Sequence, residues 1–99
     1  MVMMIMETRH LIIKGRVQGV SYRAWSVQAA TQLGLNGWVR NLKNGDVEAV
    51  IQGHTEDIQK FITSCYDGPM MARVDSVSIK TIRDSKKFSD FEFRQNNIL

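Results

Sequence analysis

The stretch Trp38-Val39-Arg40-Asn41-Leu42, Lys43-Asn44-Gly45, Asp46-Val47-Glu48-Ala49-Val50-Ile51 reads as a β-hairpin at the middle of the chain. Two runs of β-branched and apolar residues flank an Asn-Gly pair, which supplies the positive φ angles of a tight turn. Upstream, Arg9 to Lys14 alternates around Leu11 and Ile13, as a buried strand does. A loop from Gly15 to Ser21 follows. Tyr22, Ser26, Ala29, Ala30 and Leu33 then recur at helical spacing until Gly34 stops the helix. Downstream, Thr55 is placed as an N-cap, and Ile58, Phe61, Ile62 and Cys65 form an apolar stripe that ends at Gly68-Pro69. Val77, Ile79 and Thr81 alternate in a further strand, and Phe91 and Phe93 mark a short last one. The order β-α-β-β-α-β predicts an α+β sandwich with both helices on one face of an antiparallel sheet.

Bulk properties agree with one ordered domain over residues 1–99. The chain is 43% hydrophobic, with one proline and no low-complexity tract, so it has the composition of a packed core rather than a disordered segment. Residues 1–7 carry methionines at 1, 3, 4 and 6, and are expected to form a frayed lead-in without the basic flank of a signal peptide. The single cysteine, Cys65, rules out an internal disulfide and fits the cytoplasm. The net charge of +3 is spread along the chain, which favours a solvated surface over a nucleic-acid stripe.

Chemistry concentrates in Gly15-Arg16-Val17-Gln18-Gly19-Val20-Ser21-Tyr22-Arg23. A glycine loop that opens a helix turns backbone N–H groups inward and adds the positive end of the helix dipole, a setting for a small oxyanion. Arg23 contributes a planar fork of donors matched to two phosphoryl oxygens. The topology brings the strand holding Asn41 to the same end of the sheet, where its carboxamide can orient a water without changing charge. Each residue alone has an ordinary structural explanation, solvation for Arg23 and local hydrogen bonding for Asn41. Gln18 is expected to shape the loop, Tyr22 and Trp38 to pack between helix and sheet, His10 and His54 to serve structure or surface, and Cys65 to be an inert core thiol.

The absences narrow the substrate. No cysteine stands at the loop for a thiol-phosphatase route, no Asp-x-Asp pair offers an aspartyl phosphate or a magnesium site, and no Gly-Lys-Ser or Gly-Lys-Thr closes a nucleotide loop. A phosphate ester leaves as an alkoxide and needs an acid or a metal, whereas an acyl phosphate leaves as a carboxylate that is stable at neutral pH. A site that only binds phosphate and orients water therefore suits an activated substrate.

These residues resemble the acylphosphatase family. Ile13-Lys14-Gly15-Arg16-Val17-Gln18-Gly19-Val20-Ser21-Tyr22-Arg23 matches its first signature, and Gly37-Trp38-Val39-Arg40-Asn41 with Gly45, Val47 and Gly53 matches its second. Gly68-Pro69 and Val74 extend the similarity, so it spans nearly all of the chain after about Thr8. The resemblance implies a ferredoxin-like fold and cofactor-free, metal-free hydrolysis of acyl phosphates. It assigns phosphate binding to Gln18, Gly19, Val20, Ser21, Tyr22 and Arg23, and water positioning to Asn41. Tyr22 stands where the family usually has phenylalanine, which predicts altered packing rather than lost activity.

Two other classes share the topology. An RNA-recognition module needs surface aromatics on its sheet, and the first and third strands carry Ile12, Ile13, Ala49 and Val50 instead. A non-catalytic anion-binding or regulatory module would keep the loop without turnover, against which Arg23 and Asn41 both being present argues. The expected partners are a small acyl phosphate and inorganic phosphate as product and competitive inhibitor, with no nucleic acid or membrane. A monomer is expected, since the two-layer core leaves no long apolar face.

Overall fold

The computed structural model describes residues 5–95, and the seven elements in it follow the predicted order. They are β1 (Met6–Arg16), α1 (Tyr22–Gln32), β2 (Asn36–Asn41), β3 (Val47–His54), α2 (Thr55–Cys65), β4 (Arg73–Ile82) and β5 (Phe91–Phe93). The sheet runs β4-β1-β3-β2-β5. Its first three pairings are antiparallel, whereas β5 lies parallel to β2 through Gly37↔Phe91 and Val39↔Phe93. The sheet is thus mixed at one edge, because β5 reaches β2 from the far side of the molecule rather than through a hairpin. No helix among the described residues is long and apolar enough to cross a membrane.

Alternation decides which face each strand buries. Leu11 and Ile13 on β1, Val39 on β2, and Val47, Ala49 and Ile51 on β3 are almost wholly enclosed and meet Tyr22 and Ala30 of α1 and Ile58, Phe61, Ile62 and Cys65 of α2. Aromatic rings tie the helices together: Trp25 stacks with Phe61 at 6.2 Å and lies 5.3 Å from Tyr22. Trp38 is not in this core. It shares the parity of Arg40 and occupies the open face of the sheet, with the guanidinium groups of Arg94 and Arg40 at 4.6 and 5.1 Å from its ring. The even–odd phase of β2 is set by Val39 and Asn41, both buried, and that forces Trp38 outward.

Several boundaries differ from expectation for identifiable reasons. Of the expected lead-in, residues 1–4 lie outside the described residues, but Met6 already pairs with His54, and the Ile5 carbonyl accepts hydrogen bonds from the Thr55 backbone and hydroxyl. Thr55 is therefore the first helical residue, and His54 takes the N-cap position without a side-chain bond. Gly15 belongs to β1, not to the loop. A Cβ there would stand 2.2 Å from the Arg73 carbonyl at a register shift in the β1–β4 pairing, so this glycine serves the close approach of two strands. In the hairpin turn, Lys43-Asn44-Gly45, only Gly45 has a positive φ, 98°. Its N–H donates to Leu42, and Leu42 donates to Asp46, so the turn is a three-residue loop with a bulge rather than a two-residue turn.

Candidate active site

Between the end of β1 and the start of α1 the chain leaves the sheet at Val17, which is buried, and turns through Gly19 and Ser21, with φ of 73° and 65°. Left-handed residues in so short a stretch form the concave backbone that binds anions. Glycine adopts this conformation without penalty, but Ser21 does so at a cost of about 1 kcal/mol or more. Ser21 is also the N-cap of α1, yet its hydroxyl makes no capping bond. The hydrogen bond from Trp25 N–H to the Ser21 carbonyl, 3.0 Å, closes the first turn. Helix geometry leaves the N–H groups of Ser21, Tyr22 and Ala24 without an intrahelical acceptor. No acidic residue occupies this turn, so the positive end of the helix is not neutralised from within.

Gln18 fixes the loop to the hairpin. Its side-chain nitrogen donates to the carbonyls of Leu42 at 2.7 Å and Asp46 at 2.9 Å, the loop-shaping role expected of it. The same hairpin is held from the other side by Lys14, whose ammonium donates to the Asp46 carboxylate at 2.7 Å. Since Asn41 ends β2 one residue before Leu42, these bonds set the distance between Asn41 and the glycine loop.

A pocket of about 260 Å³ opens at this end of the sheet, lined by Val17, Gln18, Gly19, Ser21, Tyr22, Arg23, Ala24, Asn41 and Phe93. It joins six of the seven residues singled out in the sequence. The seventh, Val20, is buried against the core and does not line the pocket. Asn41 is 7% exposed, and its buried Oδ1 has no hydrogen-bond partner among the described residues. An unsatisfied buried carboxamide oxygen costs about 1–3 kcal/mol, and it is relieved by one donor arriving in the pocket, such as a water.

Among the described residues that line the pocket, the charged side chain is Arg23. Arg23's pKa is lowered by burial, yet from an ordinary value so high that the guanidinium stays protonated. Tyr22 turns its ring into the core and its hydroxyl donates to the Cys65 carbonyl at 2.6 Å. Burial, reinforced by Cys65, pushes that phenol well above its usual range. Cys65 is likewise enclosed, and burial raises its thiol to about 12, in keeping with an inert core position.

Two lining residues lie outside the sequence motifs, Ala24, which directly follows the first of them, and Phe93, which is distant from both. The Phe93 ring lies under the Arg23 guanidinium, 4.1 Å from Cζ to the ring centre. Phe93 was legible as a strand residue only, because its place beside Arg23 follows from the parallel pairing of β5 with β2. Away from the pocket, His10 Nε2 donates to the Glu48 carboxylate at 2.7 Å, which also accepts from Arg40 at 2.6 Å, so His10 serves the open sheet face.

The family model described as Acylphosphatase matches residues 9–93. An acylphosphatase of Roseiflexus sp. (strain RS-1) is 47% identical over 78 residues, covering 79% of this chain and 84% of that relative. Among solved structures, an acylphosphatase from Coxiella burnetii superposes with a TM-score of 0.86 at 36% identity, over 90% of this chain and 93% of its own. HypF of T. kodakarensis superposes with a TM-score of 0.79 at 31% identity over 89% of this chain but 12% of the HypF chain, so the same unit also occurs as a small part of a far longer protein. With both motifs, the sheet order and nearly the full length accounted for, the chain belongs to the acylphosphatase family.

Proposed function

We propose that this chain is a metal-free acylphosphatase in which the Gln18–Arg23 loop and the Arg23 side chain hold the phosphoryl group and Asn41 holds the attacking water. The observation that carries the reading is the buried Oδ1 of Asn41, unpartnered among the described residues, in the same pocket as an arginine and a helix start that its N-cap side chain does not cap. Water attacks phosphorus, the new O–P bond forms, and the P–O bond to the acyl group breaks with its electron pair on the carboxylate. The water's protons stay with the phosphate, so an acyl phosphate dianion and water give a carboxylate and a phosphate monoanion. No protein acid is needed, because a carboxylate leaves without protonation at neutral pH. Backbone N–H groups and Arg23 match the charge that spreads over the equatorial oxygens.

The same reading has inorganic phosphate, the product, compete for the loop, and has the chain work as a monomer in the cytoplasm. Hydrolysis of benzoyl phosphate with excess EDTA tests the proposal, beside Arg23→Gln and Asn41→Ala proteins checked for folding. Turnover by the parent and a loss of at least about 100-fold in each variant are expected. A folded parent without turnover would overturn it in favour of a non-catalytic anion-binding module, and three proteins with equal turnover would overturn the roles given to Arg23 and Asn41.

A further inference from the structure

Phe93 is 51% exposed, although it neighbours a core of enclosed side chains, so packing in the interior does not account for a phenyl ring at this position. The ring is nonetheless well held. Phe93 pairs with Val39 in the parallel register, and the next residue, Arg94, donates its N–H to the Val39 carbonyl at 2.8 Å. Val39 and Asn41 point to the same face of β2, two positions apart, so the strand that carries Asn41 also anchors the ring beneath Arg23.

A guanidinium presents its donors in the plane and along the edge, whereas a ring beneath it occupies the face. Stacking on Phe93 and edge-on donation to a phosphoryl group therefore do not compete. An arginine side chain that must be ordered on binding gives up rotamer entropy, and a preformed stack lowers that cost before the anion arrives. Building on the acylphosphatase reading above, we infer that Phe93 is a positioning residue, whose ring orients the Arg23 guanidinium for the phosphoryl group.

The test compares the parent with Phe93→Leu, which keeps apolar bulk without a ring, and Phe93→Trp, which keeps and enlarges the π face. Phosphate-induced thermal stabilisation and the phosphate inhibition constant are measured for each. The expected result is binding about 3- to 10-fold weaker in Phe93→Leu, with the phosphate-free melting temperature little changed, and binding restored in Phe93→Trp. Leucine binding phosphate as the parent does, or tryptophan failing as leucine does, would overturn the inference while leaving the acylphosphatase reading intact. A parent that neither binds phosphate nor hydrolyses benzoyl phosphate would remove that reading and the inference with it.

Discussion

The hydroxyl of Tyr22, the first residue of α1, donates a 2.6 Å hydrogen bond to the carbonyl of Cys65, the last residue of α2. The carbonyls of a helix's last turn have no intrahelical partner, so Tyr22 caps α2 across the interior. The ring itself lies against Gly68, where a Cβ would meet Tyr22 Cε2 at 2.6 Å. Tyr22→Phe keeps that fit and loses only the bond. It is expected to cost about 1–2 kcal/mol in urea denaturation while leaving the turnover of benzoyl phosphate within about twofold of the parent.

The rate should not follow a protein titration through neutral pH. Among the described residues, the ionisable side chains that line the pocket are Tyr22, whose phenol is pushed upward by burial, and Arg23, whose lowered value still leaves it charged. A turnover number flat from about pH 6 to about pH 9 is expected, measured with substrate in excess. A tenfold change per pH unit inside that window would reveal an acid or base that the proposed mechanism lacks.

Gly19→Ala separates backbone conformation from space. Nothing lies within 4 Å of a Cβ built at Gly19, so the penalty comes from its φ of 73° alone. A stability loss of about 1–2 kcal/mol is expected if the loop holds its shape. To the extent that the loop relaxes instead, its N–H groups turn away, and the phosphate inhibition constant should rise about tenfold. Denaturation curves and inhibition assays on one preparation resolve the two.

Glu48 links stability to pH. Burial would raise its carboxyl pKa, but hydrogen bonds from His10 and Arg40 outweigh that and hold it below the usual value. The folded chain then binds fewer protons at this site than the unfolded chain. The contribution is therefore full above about pH 4.3 and is lost as pH falls through the lower folded value. Glu48→Gln is expected to lose about 1–3 kcal/mol at pH 7, with the gap to the parent closing below about pH 4 in urea melts.

Elements specified by their own neighbours were legible in the sequence. The stripe Ile58, Phe61, Ile62, Cys65 and the flanks of Lys43-Asn44-Gly45 carry their periodicity within a few residues, and both elements form where expected. Contacts between distant segments were not. Gly15 reads as a loop glycine until the Arg73 carbonyl is seen against it, and Trp38 reads as core until the parity of Val39 and Asn41 is known. The candidate pocket divides the same way. Its loop and Asn41 lie inside continuous motifs, whereas Phe93 enters through a three-residue strand whose parallel partner no local pattern announces.

The two bonds from Gln18 to Leu42 and Asp46, together with the β2–β5 pairing, have a consequence for how the proposed site comes into being. Its parts are drawn from the beginning, middle and end of the chain, and none is held in place by its own segment. A nascent chain that has emerged only as far as Arg23 has the whole first motif but nothing to brace it. A cut anywhere between Arg23 and Phe93 would leave neither fragment with a complete pocket. Anion binding should thus appear late and all at once in refolding, as a property of the finished fold.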